Sequence, residues 1–230
     1  ATGVGLVQPR DGGRVLPADV SPAGLRPEDV GRHRDAAARA VVRRAAPGRP
    51  DDTGAARRVP DLVVVAPRGD ATGLTADPEL AARLLASGVP HLYAGVAETT
   101  GTVGPLVVPG RSPCGRCVAL HRTDVDPQWP RVLAQHRGGS GAAPAACDTA
   151  LATTVAGTAA LHALIFLDGG SPPSLGGWVD ICARDGSMRR RRLTPHQDCG
   201  CCPHPAGEPR GQAVRVQNDR EHRVPILEEK

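Results

Sequence analysis

Aromatic side chains are almost missing from this 230-residue chain: Tyr93, Trp129, Phe166 and Trp178 are all it has. A core must therefore be built from Val, Leu and Ala, and no aromatics interleave with cations to stack nucleobases. The net charge of +4 comes from basic residues that are nearly all Arg, in a composition rich in Ala, Gly and Pro. Such scattered charge is weak ground for nucleic-acid binding, and no nucleic-acid partner is expected. Only Arg189–Arg192 forms a run, and a run like this is ordinarily a solvated strand or turn. Long apolar stretches are also missing. The best candidate, Ala150–Leu167, is diluted by Thr, Gly and His and falls short of the roughly 18 apolar residues a membrane span needs. No basic-then-apolar secretory leader is present, so the chain reads as cytoplasmic, with no membrane partner. There, closely spaced cysteines mean metal or redox chemistry rather than structural disulfides. Methionine is reduced to Met188. The chain opens at Ala1 without an initiator, which predicts a longer parent.

What is present reads as one α/β domain. Val4–Val7 is a short apolar run suited to a buried strand, with "QPRD" as its exit loop. Pro27–Pro47 repeats Ala and Val at helical spacing and is stopped by Pro47. "DLVVVAP" at Asp61–Pro67 has the β-branched, uninterrupted look of a strand buried on both faces of a parallel sheet. A helix over Asp77–Ser87, closed by Gly88, and a strand over His91–Ala97 follow. The strand–helix–strand order predicts an open, Rossmann-like and largely parallel sheet with right-handed crossovers.

From Gly101 onward the pattern changes. A strand at Val103–Val108 leads to "PCGRC", "DPQWPRVLAQ" reads as a short helix, and Arg137–Ala146 as a Gly/Ala/Ser-rich loop. Cys147–Leu167 reads as a long helix, and the segments flanking "ARDG", Leu175–Cys182 and Ser187–Leu193, as a hairpin. Residues 203–230 have the polar, Pro/Gly-rich composition of a flexible tail.

Five of the seven cysteines lie in "PCGRC" and "DCGCC". Two Cys-x-x-Cys pairs, Cys114 with Cys117 and Cys199 with Cys202, supply the four thiolates of a tetrahedral zinc site. Cys201 offers a Cys-x-Cys alternative, and His196 and His204 flank the second pair as substitutes. A redox centre would need only one pair, at a helix start. Four thiolates leave no open position on the metal, so the expected zinc is structural. Cys147 precedes a helix, where thiols can be acidified, but it reads rather as a small residue packed at a helix start. Cys182 lies in an apolar strand and reads as core.

Together these segments resemble the E1-like, ThiF-type adenylyltransferase superfamily. The resemblance is carried by "DVGRHRDAAARAVVRRAAP", "PDLVVVAP", "GPLVVPGRSPCGRC" and "HQDCGCC", over about Gly3 to Cys202. It is especially close to divergent actinobacterial members and to the E1-like proteins of thiazole/oxazole-modified peptide pathways. The resemblance implies an ATP-binding domain over residues 1–202 that activates a C-terminal carboxylate as an acyl-adenylate. Its first strand and phosphate loop would lie upstream of this chain; "GVG" at Gly3–Gly5 is not that loop. Asp11 matches the ribose-binding acid and Arg34 the phosphate-contacting Lys, a cation for a cation although the two are not interchangeable. The second expected Arg falls near Pro22, and the magnesium-binding acid falls near Arg68, which would repel the metal.

The resemblance therefore implies structural zinc, with ATP and magnesium only in the full-length parent. The expected function is a domain with a degraded adenylation site that binds a leader peptide or small protein for a separate modifying enzyme. The alternative is an active ATP-dependent adenylyltransferase, with Asp70 serving the metal. Homodimerisation is the family expectation.

Overall fold

A computed structural model describes residues 4–22, 24–46, 59–67, 78–138 and 147–201. Its centre is a five-stranded sheet, in the order β1 (Val63–Val65), β2 (His91–Ala97), β3 (Thr100–Val107), β4 (Gly177–Cys182) and β5 (Met188–Arg192). Five helices accompany it: α1 (Arg34–Ala45), α2 (Pro78–Ala86), α3 (Gly115–Val125), α4 (Trp129–Gly138) and α5 (Thr149–Leu167). The architecture is mixed α/β, as expected, but the sheet is not largely parallel over the described residues. Only β1 and β2 run parallel, joined through α2; β2–β3, β3–β4 and β4–β5 are antiparallel. The physical reason is the connection after Ala97. Glu98 takes a positive φ of 52°, and Ala97 pairs directly with Thr100, so the chain reverses in a hairpin that leaves no room for a crossover helix.

Three other expectations are corrected. Val4–Val7 forms no strand, and Leu6 and Val7 are exposed: among the described residues no neighbouring strand lies beside them to pair with or cover them. Val64 in β1 is 47% exposed, so this strand is not buried on both faces. Its alternate residue, Val65, turns inward. The helix expected over Pro27–Pro47 breaks into a 3₁₀ turn at Pro27–Asp29 and the α-helix from Arg34. Residues 139–146, the start of the α2 segment at Asp77 and the 203–230 tail lie outside the described residues.

The two faces of the sheet carry different partners because side chains alternate along each strand. Leu92, Ala94, Val103, Leu106, Val179 and Ile181 face Leu151, Val155 and Ala159 of α5, which recur every four residues along one helix face. On the other face, Tyr93 and Val107 meet Cys114, Cys117 and Cys199, with Leu80 and Leu84 of α2 packed alongside. The lone Tyr thus anchors the second core. Helix α5 is long and apolar enough to span a membrane by length and composition, contrary to the dilution expected from its Thr and Gly. Its buried face is nevertheless part of this core.

The segment before α1 is held by polar contacts. Buried Asp29 accepts the Arg26 amide at 3.0 Å and the Arg32 guanidinium at 2.6 Å, with Arg44 of α1 at 4.0 Å. The amide bond, then Arg32 and Arg44, hold its carboxyl below the ordinary value of 3.8 against the opposing effect of burial. A depressed carboxylate contributes stability above its unfolded pKa and loses it as pH falls through the folded one. Asp29→Asn is therefore expected to lower Tm at neutral pH. The gap to the parent should close as pH drops below 3.8, read from melts across an acid series.

Candidate metal centre

The first cysteine pair is delivered by a tight turn at the end of β3. The amides of Arg111 and Ser112 bond to the Val108 carbonyl, and the Val108 amide donates to Ser112 Oγ. Gly110 sits at φ 73°, a conformation that favours glycine. Cys114 then caps α3 in extended conformation, and Cys117 lies in its first turn. The second pair follows β5: Leu193 bonds back to Gly176, and the Cys199 amide donates to the His196 carbonyl at 2.9 Å. Both pairs close on the sheet face that carries Tyr93.

The sulfurs of Cys114, Cys117, Cys199 and Cys201 all lie within 4.8 Å of one another. Cys114 Sγ is 3.7 Å from Cys199 Sγ, and Cys117 Sγ is 3.3 Å from Cys201 Sγ. These are free thiols, and the spacing has a simple meaning. A tetrahedral metal–thiolate site with bonds of about 2.3 Å has S···S edges of about 3.8 Å. Cys114, Cys117 and Cys199 are buried and Cys201 half-buried, so the donor set is soft, dry and complete, and it fits a metal ion. Cys202, expected from the matched spacing, lies outside the described residues; Cys201 supplies the fourth sulfur.

The surroundings favour negative sulfur at one position above all. Cys117 is held down at about 4, chiefly by the Cys114 thiol, with help from the backbone N–H of His196 and from Cys201. Cys114, as the proton-bearing partner and a buried thiol, is pushed up. Burial, above all, raises Tyr93 to about 12, so its ring serves as a neutral wall.

A second group adjoins the first, and sequence inspection missed most of it. Cys117, His121 and Asp124 lie four and three residues apart along α3, which puts them on one face. His196 meets all three. Its amide donates to Cys117 Sγ at 3.4 Å, its Nε2 lies 2.9 Å from Asp124 Oδ2, and its ring packs edge-on against His121. His121 Nε2 in turn lies 3.0 Å from the Thr194 carbonyl. The Asp198 amide donates to His196 Nδ1 at 3.0 Å. That nitrogen is thus an acceptor, and Nε2 carries the proton given to Asp124. A metal on Nε2 would need the opposite tautomer and would set two donors against each other at Nδ1. His196 is a brace for the cysteine site, tying the second pair to α3.

The residues expected to face ATP are brought together, but onto each other. Arg34 Nε lies 2.9 Å from Asp11 Oδ1. Its other nitrogens donate to the carbonyls of Arg14, at 2.8 Å, and of Gly12. Arg68 and Asp70 lie outside the described residues. Cys147 is exposed, and its pKa is raised by partial burial and by the Asp148 carboxylate beside it. The helix amides that would acidify a thiol go instead to Asp148, which accepts from Ala150 and Leu151. Cys182 is half-buried at the end of β4.

Solved structures share this arrangement of strands and helices. E. coli MccB with ATP superposes with a TM-score of 0.60 at 16% identity, over 84% of this chain and 57% of that one. E. coli MccB with AMPCPP and MccA gives 0.61 at 16% identity, over the same shares. The fold is that of MccB over the shared region. MccB, described as a microcin C7 biosynthetic enzyme, also superposes in its complex with N-formylated MccA, with a TM-score of 0.56 at 17% identity over 77% of this chain and 54% of that one. This chain spans little more than half the length of the MccB chains it matches. No protein-family model and no curated protein sequence matches it.

Proposed function

We propose that this chain is a zinc-bearing E1-like domain that holds a peptide or small protein for modification by a separate enzyme and does not itself adenylate it. The observation that carries this function is the commitment of Arg34. A phosphate-binding cation must present free N–H donors to the nucleotide. Here the guanidinium forms an ion pair with the Asp11 carboxylate and donates through its terminal nitrogens to the Gly12 and Arg14 carbonyls, so the acid meant for the ribose holds the cation meant for the phosphate. Four thiolates saturate zinc, so the metal has a structural role, with no position for water or substrate. The neighbours support a peptide partner, since MccB has been solved with MccA.

The competing function is an active ATP-dependent adenylyltransferase, favoured by the fact that MccB has also been solved with ATP. Calorimetric titration of MgATP into the full-length natural protein separates the two. The expected result is no saturable binding up to about millimolar nucleotide, a regime worth about 4 kcal/mol or less, and no change in Arg34→Ala. Micromolar binding that Arg34→Ala weakens would establish the competing function.

A further inference from the structure

The hairpin of β4 and β5 ends the sheet, and β5 is its edge. Backbone bonds Cys182 N–H to Ser187 and Leu193 N–H to Gly176, with the register between them, fix which groups point inward. Arg189, Arg191 and Leu193 turn their amides toward β4, while the Ser187 amide donates to Asp185 Oδ1 in the turn. Met188, Arg190 and Arg192 turn theirs outward, where no described residue covers them. From Gly177 to Arg192 the hairpin carries five arginines against two aspartates. One of those, Asp180, is already taken by Arg191 at 3.0 Å and by the Trp178 indole at 3.0 Å. The other, Asp185, is held at about 2 in the turn, mainly by hydrogen bonds from Ser187.

We propose that the outward edge of β5 is a docking strand for an extended acidic peptide, which adds a sixth strand to the sheet with carboxylates opposite Arg192 and opposite Arg190, whose guanidinium is anchored on the Pro173 and Leu175 carbonyls. The inference deepens the peptide-binding function above and rests on it. Exposed edges are usually protected by bulges, prolines or charge. This one has neither bulge nor proline, so charge is its only guard, and charge of one sign is selective. It repels a second copy of the same strand, whose arginines would face its own, and it attracts a strand of opposite charge. Alternating N–H and C=O groups are satisfied by another peptide backbone. A phosphodiester chain would leave the carbonyls facing anions. No stacking platform serves a nucleic acid either, because Trp178 packs with Val118 and Leu193 and Tyr93 is buried.

The test uses the full-length, metal-loaded protein and fluorescence anisotropy with a labelled peptide of alternating Val and Glu. Its comparators are the Val/Lys counterpart, the Val/Glu peptide N-methylated at alternate amides, and a single-stranded oligonucleotide of matched charge. The Val/Glu peptide should bind at least about tenfold more tightly than any comparator. Arg192→Glu should cost about tenfold as well. Arg190→Pro removes an outward N–H without touching the β4 ladder, and it should weaken binding while the circular dichroism spectrum is kept. The N-methylated peptide reports on the unaltered protein, so a variant that fails to fold does not decide the result. Equal binding of the N-methylated peptide, tighter binding of the oligonucleotide, or full affinity in Arg192→Glu would overturn the proposal. If peptide binding persists in both variants, docking lies elsewhere and the peptide-binding function stands. Nucleotide activation would remove that function without touching the edge measurements.

Discussion

Stripping the metal with a strong chelator is expected to unfold most of this domain at ambient temperature. The four sulfurs join two segments: the start of α3, which leaves β3, and the turn after β5. A structural four-thiolate zinc contributes on the order of 10 kcal/mol. Whole domains are stable by only about 5–15 kcal/mol. A chain with four aromatic residues has little else to compensate, and the Tyr93 core leans directly on Cys114, Cys117 and Cys199. Cys114→Ser and Cys199→Ser should each bind well under one equivalent of zinc and melt without a cooperative transition. Cys147→Ser, outside the cluster and exposed, should match the parent. His196→Ala removes the ring that ties Asp124 to the second pair but keeps the backbone N–H that donates to Cys117 Sγ, so it should weaken metal binding less than either cysteine substitution. An unchanged melt after complete metal removal would contradict the clamp.

Gly177→Ala should damage the sheet severely. A Cβ there would lie 2.1 Å from the Arg191 carbonyl oxygen and 3.4 Å from the Arg192 Cα. Both are backbone atoms of the neighbouring strand, so no rotamer change relieves the clash. Strand β5 must move away from β4. Overpacking of well-fitted interiors costs about 1–3 kcal/mol and sometimes more. Because the chain runs from β5 through Leu193 into Cys199, the displacement should reach the metal and lower zinc affinity along with Tm. Gly186→Ala is the control. That glycine sits at φ 67° with open space around its Cβ position, so its cost is conformational, about 1 kcal/mol, with zinc affinity unchanged. Equal effects of the two substitutions on metal affinity would show that the hairpin and the cysteine site are not coupled.

Much of this could be seen in the residues alone, and the exceptions have identifiable causes. His91–Ala97 was legible because a short, mostly apolar run bounded by Pro90 and a turn reads as a strand. The hairpin was legible because "ARDG" is turn chemistry, and α5 because its apolar residues outlast any strand. Strand direction was not legible. It depends on whether Glu98 and Thr99 close a tight turn, and neither is a strong turn residue. Val4–Val7 misled because an apolar run becomes a strand only when a neighbour covers it. The cysteine cluster was visible as spacing, and the closeness of Cys201 to the other three sulfurs depends on how the His196–Cys199 turn aims the segment, which spacing does not encode. Asp124 and His121 carry a signal in their helical spacing from Cys117, one that acquires meaning only once His196 is known to lie opposite. The pairing of Asp11 with Arg34 was the least visible feature, since two residues matched to one ligand say nothing about each other.

The central claim, that this domain holds a peptide rather than activating it, is tested most directly by ATP–pyrophosphate exchange on the full-length natural protein. The assay supplies magnesium and short peptides with free C-terminal carboxylates. An acyl-adenylate formed reversibly returns labelled pyrophosphate to ATP, so exchange reports the chemistry itself, whatever the later acceptor. With Arg34 held by Asp11, Gly12 and Arg14, the predicted result is exchange at the level of the protein-free control, in the parent and in Asp11→Ala alike. Carboxylate-dependent exchange in the parent that falls sharply in Asp11→Ala would contradict the account.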